Sequence, residues 1–241
     1  MQSPKHLVNR IIITLLNFYD QLARFPRNGE YFITPQPSYV SQFASIQPPS
    51  INSSTILTKP NIIKFFGAKD SKEFNFWAWR ACGIVCVQMI LKTIKPQTRK
   101  TTMDLIHEGV SLGGYIVYQN GKFIDKGWFH DALVNLLKKY QLKAVSKRWQ
   151  TLKAISRDVL KNKFVIASIV ISQRAAPNYE FNSTPSSGHL ILITGVKINN
   201  RQPAGFYYHD PTGLPNANQN TYLPTEIFNR IFTNRTIVAN K

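Results

Sequence analysis

The 241-residue chain predicts an α+β fold, because its apolar residues change period along the sequence. Up to about residue 160 they recur at the three- and four-residue spacing of helices. From Phe164 onward short β-branched runs replace that spacing. Helices first and antiparallel strands afterwards is the layout of an α+β domain.

The helical half reads in pieces. Leu7, Val8, Ile11, Ile12, Leu15, Leu16, Tyr19, Leu22 and Ala23 make one apolar face, so a buried amphipathic helix is expected there, ended by Pro26. Residues 35–60 are rich in Pro, Ser, Asn and Gln and read as an extended connection. Two parts follow: an N-terminal helix with its Pro/Ser-rich extension over residues 1–61, and a folded domain over 62–241. Within that domain Cys82 to Lys92 is an apolar helix that must stop before Pro96. Further helices are expected over 102–109, from Asp131 to about Tyr140, and over 151–160.

Three strands follow, over 164–171, 188–196 and 205–210. The last two are joined by Asn199-Asn200-Arg201-Gln202-Pro203, and so form a hairpin. In the register that opposes His189 to Thr212, Asp210 lies diagonally beside His189 on the same face. A slip of one residue would separate them.

With 30 Lys and Arg against 12 Asp and Glu, the formal charge of +18 attracts anions without naming one. No zinc-finger spacing, aromatic RNA-stacking signature or recognition helix accompanies it, so a nucleic-acid module is not indicated. Basic residues are dense only from Lys138 to Lys163, which reads as a solvated basic face or a footprint for an anionic surface. Two cysteines, Cys82 and Cys86, exclude a disulfide framework and fit a reducing compartment. The apolar run Ile11 to Leu16 is too short to span a bilayer, and no small-residue cleavage site follows it. The chain reads as cytoplasmic, or exported without a clear signal peptide, and not as an integral membrane protein.

The chemistry-bearing residues are few. A thiol attacks as thiolate, a form favoured by a helix N-terminus and by a neighbouring imidazole. Cys82 opens its helix, followed by Gly83, which leaves the backbone uncluttered where a carbonyl would approach. Cys86, one turn deeper among Val85, Met89 and Ile90, reads as core. His189 opens a strand directly after Gly188, and Asp210 closes the next one, so nucleophile, base and orienter can meet. Trp128 and His130 are candidates to line the substrate groove with Gly83 and Gly188. His107 beside Glu108 lacks a second ligand at helical spacing, so no metal site is expected.

The segments Arg80 to Leu91, Gly127 to His130, Gly188 to Gly195 and His209 to Gly213 resemble the bacterial double-glycine leader peptidase family, particularly its stand-alone members. The likeness covers residues 62–241. It implies a papain-like cysteine peptidase, with a nucleophile helix in the helical part and an antiparallel sheet after it. Cys82 would be the nucleophile, His189 the base and Asp210 the third member, acting on a peptide or protein substrate without metal or organic cofactor. The family commonly places a glutamine a few residues before the nucleophile to bind the oxyanion. None lies between Gln47 and Gln88, so Asn75 and the indoles of Trp77 and Trp79 are the expected substitutes, beside the Cys82 backbone N–H. Two other readings remain: a non-catalytic peptide-binding pseudoenzyme, and a basic surface protein for anionic lipid or nucleic acid.

Overall fold

The computed structural model describes residues 8, 11–16, 18, 25–44, 60–115, 118–123, 125–171, 187–212 and 219–241. Helices come first: α1 (Pro60–Phe66), α2 (Ser71–Ala78), α3 (Cys82–Ile94), α4 (Thr102–Ser111), α5 (His130–Lys139) and α6 (Leu152–Leu160). Ahead of them lies the strand β1 (Gly29–Phe32), and between α4 and α5 the small hairpin β2 (Tyr118–Gln119) and β3 (Lys122–Phe123). The strands β4 (Lys143–Lys147), β5 (Phe164–Ile171), β6 (Ser187–Asn199), β7 (Gln202–His209), β8 (Thr221–Pro224) and β9 (Phe232–Asn240), with a short α7 (Thr225–Ile231), complete the domain. This is the expected α+β arrangement.

Helix starts follow local side-chain chemistry. Asp70 accepts the Glu73 amide at 2.8 Å to open α2, and Thr101 with Asp104 closes a reciprocal capping box on α4. Thr151 caps α6 by accepting the Ala154 amide at 3.0 Å. Helix α3 has no such cap. Its place is set by burial instead: every residue from Gly83 to Leu91 is buried, against β6 and β5 on one side and α4 and α5 on others.

The main sheet runs β4-β9-β5-β6-β7-β8, all antiparallel. Its organiser is β6, the longest strand. Along one edge β5 pairs with residues 187–193 and β1 with 195–198, while β7 occupies the other edge. The expected hairpin register holds at the site end, with Leu192 opposite His209 and Ile193 opposite Tyr208. A bulge at Thr194 then shifts it by one residue, so that Gly195 faces Tyr207. Asn200 and Arg201 close the hairpin at φ 48° and 58°, the left-handed pair that a two-residue turn needs.

Two features depart from the sequence reading. Residues 25–43, upstream of the expected boundary at 61, contribute β1 to the main sheet and Phe25, Ile33, Val40 and Phe43 to the core. The N-terminal helix is present over residues 11–16, but Val8, Ile11, Leu15 and Phe18 are all more than half exposed, so it is not the buried helix expected. Periodicity identifies an apolar face without supplying the wall that covers it. The other residues of the expected apolar face, Leu7, Tyr19, Leu22 and Ala23, and residues 45–59 lie outside the described residues. Among the described residues no single helix is long and apolar enough to cross a membrane, and α2 and α3 meet at 89°.

The packing of β1 on β6 predicts a stability effect. A Cβ at Gly195 would stand 2.6 Å from the Phe32 ring and 2.9 Å from the Tyr31 carbonyl oxygen. Gly195→Ala should therefore cost ~1–3 kcal/mol through overpacking. Thermal unfolding would register the loss, with faster amide exchange over residues 29–33; an unchanged melting temperature would contradict this account of β1.

Candidate active site

The site forms where the α2–α3 corner meets the open end of the β6–β7 hairpin. Arg80 N–H bonds the Trp77 carbonyl at 2.8 Å, turning the chain out of α2. The Trp128 indole N–H then holds the Arg80 carbonyl at 2.7 Å, and Ala81 is fully buried. Cys82 follows as the first residue of α3, half-buried at the helix mouth.

His189 and Asp210 come together as the register requires. Nε2 of His189 lies 2.8 Å from Oδ1 of Asp210, with 6% and 0% of the side chains exposed. The same oxygen accepts the Thr212 amide at 2.9 Å and the Thr212 hydroxyl at 2.8 Å. Cys82 is the other group that raises this imidazole's affinity for a proton, and since Nε2 is engaged by Asp210, Nδ1 is the ring nitrogen left for sulfur.

Burial works against charge on this ring, but the Asp210 carboxylate, its hydrogen bond and Cys82 outweigh it, raising His189 to about 10. Asp210 is pulled the other way: burial resists its ionisation, and His189 together with the two Thr212 donors holds it below the usual carboxylate range. The arrangement can take a proton from sulfur and keep it beside the cleft. Cys86 differs in every respect. It is fully buried, its thiol points at the Leu190 carbonyl 3.6 Å away, and burial pushes its titration well up.

A segment the sequence reading treated as connection borders this site. Pro37 to Phe43 is strapped along the last residues of β7: Nε2 of His209 donates to the Pro37 carbonyl at 2.9 Å, the Tyr39 hydroxyl to the Asp210 carbonyl at 3.1 Å, and the Gln42 amide to the Pro211 carbonyl at 2.7 Å. Against α3 the strap runs backwards, from Ser38 on the Thr93 hydroxyl to Phe43 edge-on against Trp79, with ring centroids 5.0 Å apart. Gln42 thereby sits between the Asp210 turn and the residues just before Cys82. Its side chain is buried, and its Oε1 has no hydrogen-bond partner.

The other expected site residues fall in varied places. The Asn75 amide donates to the Ser71 carbonyl of its own helix at 2.8 Å, and Trp79 packs on Phe43 with about a third of its surface exposed. Trp77 and Trp128 belong to one aromatic cluster with Tyr115. Gly83 is a packing position rather than a groove wall, because a Cβ there would stand 2.8 Å from Leu190 and 2.9 Å from Leu133. Gly188 is exposed, with nothing near its missing Cβ, and opens onto free space beside His189. His130 is pushed down by burial and by Arg235 and Arg148, against the opposing pull of Asp131. In the basic stretch, Asp158 binds both Lys147 and Lys163, and Glu108 binds Lys139, so three of its cations are already paired.

Fold and site together define a peptidase-like α+β protein with a Cys, His and Asp constellation. The sequence profile of the Peptidase_C39 like family matches residues 68–239, and the chain belongs to that family. A putative C39-like peptidase from Bacillus anthracis superposes with a TM-score of 0.54 at 16% identity, covering 88% of this chain and 98% of its own. A double-glycine motif protease from an AMS/PCAT transporter, solved in complex with the leader peptide, has a TM-score of 0.38 at 17% identity, covering 66% of this chain and 84% of its own. No curated protein sequence matches the chain.

Two measurements probe the geometry. At neutral pH iodoacetamide should modify Cys82 faster than Cys86 by ~100-fold or more, as a half-exposed thiol beside an imidazole exceeds a sealed one; peptide mass mapping over time reads the ratio, and equal rates would mean that the two thiols share one environment. The second is a pH profile. His189 is raised from 6.5 to about 10 on folding, so its contribution is complete below 6.5 and fades as pH climbs through 10. Asp210 is lowered from 3.8, so its contribution is present above 3.8 and fades as pH falls through its folded value. The stability gap between the wild type and Asp210→Asn should therefore be widest between these limits, at roughly 3–5 kcal/mol, and should narrow steadily toward pH 10. A gap that stays flat from pH 6 to 10 would show that His189 is not bound as described.

Proposed function

We propose that the protein is a cysteine peptidase in which Cys82 is the nucleophile, His189 the proton carrier and Asp210 the residue that orients it. The observation that carries this reading is the ring of His189, engaged by Asp210 through Nε2 at 2.8 Å while Cys82, at the mouth of α3, acts electrostatically on the same ring. With the proton on His189, the sulfur attacks a peptide carbonyl carbon and the carbonyl oxygen takes the negative charge. The imidazolium then protonates the departing amine as the C–N bond breaks, leaving a thioester on Cys82. Water, giving its proton to His189, attacks the thioester; the C–S bond breaks and the acid product leaves. No step calls on a metal or an organic cofactor.

The oxyanion needs a donor, and Gln42 is the best placed candidate. Its side chain is buried, and the strap bonds place it between the Asp210 turn and the Trp79 corner. A carboxamide N–H held at this corner would donate to the developing oxyanion, a bond made mainly in the transition state. Asn75 is a weaker candidate because its amide already serves its own helix. Trp79, partly exposed at the same corner, remains a second donor beside the Cys82 backbone N–H.

A digest of a peptide library by the wild type and by Cys82→Ala tests the reading. Cleavage should be confined to the wild type and abolished again in His189→Ala. Gln42→Ala should lower kcat by ~100-fold or more while leaving KM nearly unchanged, the signature of a bond made mainly in the transition state. Cleavage that persists in Cys82→Ala would reject the nucleophile. A wild type that binds library peptides without cleaving any would favour the non-catalytic binding module.

A further inference from the structure

On another face of α3 from the thiols lies a pocket that the proposed chemistry does not use. It has a volume of about 520 Å³ and opens between the end of α1, the second half of α3 and the loop that leads into α4. That is within the roughly 300–1,000 Å³ common for small-molecule sites. Four of its nine lining residues are basic, Lys64 from α1, Lys92 from α3 and Arg99 and Lys100 from the loop, and Phe65 stands at the rim.

The walls are braced from inside. Gln88, almost fully buried, donates to the Lys100 carbonyl at 3.2 Å and accepts the Thr102 hydroxyl at 3.0 Å, which pins the loop to α3. On the opposite wall α1 ends at Gly67 with φ +88°, where an added Cβ would stand 2.3 Å from the Thr101 hydroxyl. Such close packing is open only to glycine, and it fixes the distance between α1 and the loop.

The charges in this concavity are not balanced. Lys100 pairs with Glu108 at 3.1 Å, but Glu108 is shared with Lys139 at 3.0 Å. Asp104 spends its carboxylate on the Thr101 amide, which also seals the N-terminus of α4, so side chains rather than helix amides must hold any anion. Among the described residues no carboxylate lies within ion-pairing distance of Lys64, Lys92 or Arg99. Lys92 is half-buried and faces the Phe65 ring at 5.8 Å, and burial pulls its titration downward, as expected of a cation short of counter-charge.

We propose that this pocket binds a small molecule carrying several phosphate groups, gripped by Lys64, Lys92 and Arg99, with Phe65 offering a ring on which a planar group can stack. Phosphate suits the arrangement because several cations converge on one concave space, and because multiply charged oxygens form strong charge-assisted hydrogen bonds with Lys and Arg. A nucleotide and an inorganic polyphosphate share that chemistry. Binding here does not depend on turnover at Cys82.

The test is calorimetric titration of the full chain at about 150 mM salt with ATP and, separately, with tripolyphosphate. Wild type should bind at least one of them saturably. Lys92→Gln with Arg99→Gln should weaken binding ~10-fold or more, whereas the charge-matched control Lys138→Gln with Lys143→Gln should stay within ~2-fold. Arg99→Gln alone, on an exposed loop, should show a partial loss without altering the fold. Preference for ATP that disappears in Phe65→Ala identifies a nucleotide, and equal binding of both probes identifies recognition of phosphate alone. Equal losses in the two double variants would overturn the proposal in favour of diffuse surface charge. So would the absence of saturable heat with either probe, or tighter binding of an oligonucleotide that both double variants weaken alike.

Discussion

A hydrogen bond of 2.8 Å between an imidazole and a carboxylate, shut inside the protein, sets the terms for the rest of this structure. Taking both groups out of water carries a penalty of several kcal/mol for each ion, and attraction alone offsets it only when the remaining hydrogen-bonding capacity is filled. Thr212 supplies two donors to Asp210, and the Cys82 thiol engages the imidazole. The pair therefore forms only if α3 and both strands of the β6–β7 hairpin arrive in one register. Site and fold are the same constraint seen at two scales.

The strap from Pro37 to Phe43 shows how far that constraint reaches. Three hydrogen bonds tie it to His209, Asp210 and Pro211, and each comes from a different part of the strap. His209 is placed to do this because it is the last residue of β7: its Nε2 serves the strap while its Nδ1 accepts the Asn220 amide at 3.1 Å. Asn220 in turn accepts the Thr194 hydroxyl at 2.7 Å, at the bulge in β6. One buried ring thus links the strap, the return into β8 and the bulge beside the site.

The two faces of α3 divide the molecule's chemistry. Toward β6 it carries Cys82 at its exposed mouth and Cys86 sealed one turn below, so that depth along a single helix separates an accessible thiol from an inert one. Toward α1 and α4 it carries Gln88 and Lys92, which brace and charge a separate concavity. The net charge of +18 is correspondingly uneven. Asp158 and Glu108 quench part of the basic stretch after Lys138, whereas the pocket wall keeps cations without a carboxylate partner among the described residues.

What the chain order alone settled is whatever depends on neighbours in sequence. The apolar run of α3, the β-branched β5 and the hairpin of β6 and β7 are local patterns, and the hairpin register by itself puts His189 diagonally beside Asp210. Strands β1, β4, β8 and β9 escaped the reading because they are short or carry polar residues on one face, and each becomes a strand only through a partner or position in the folded sheet. Gln42 escaped for the same reason. It precedes Cys82 by forty residues, and no local pattern links it to the nucleophile. Only the folded strap, anchored on His209, Asp210 and Pro211, brings that amide to the corner where α3 begins, since tertiary contact is indifferent to distance along the chain.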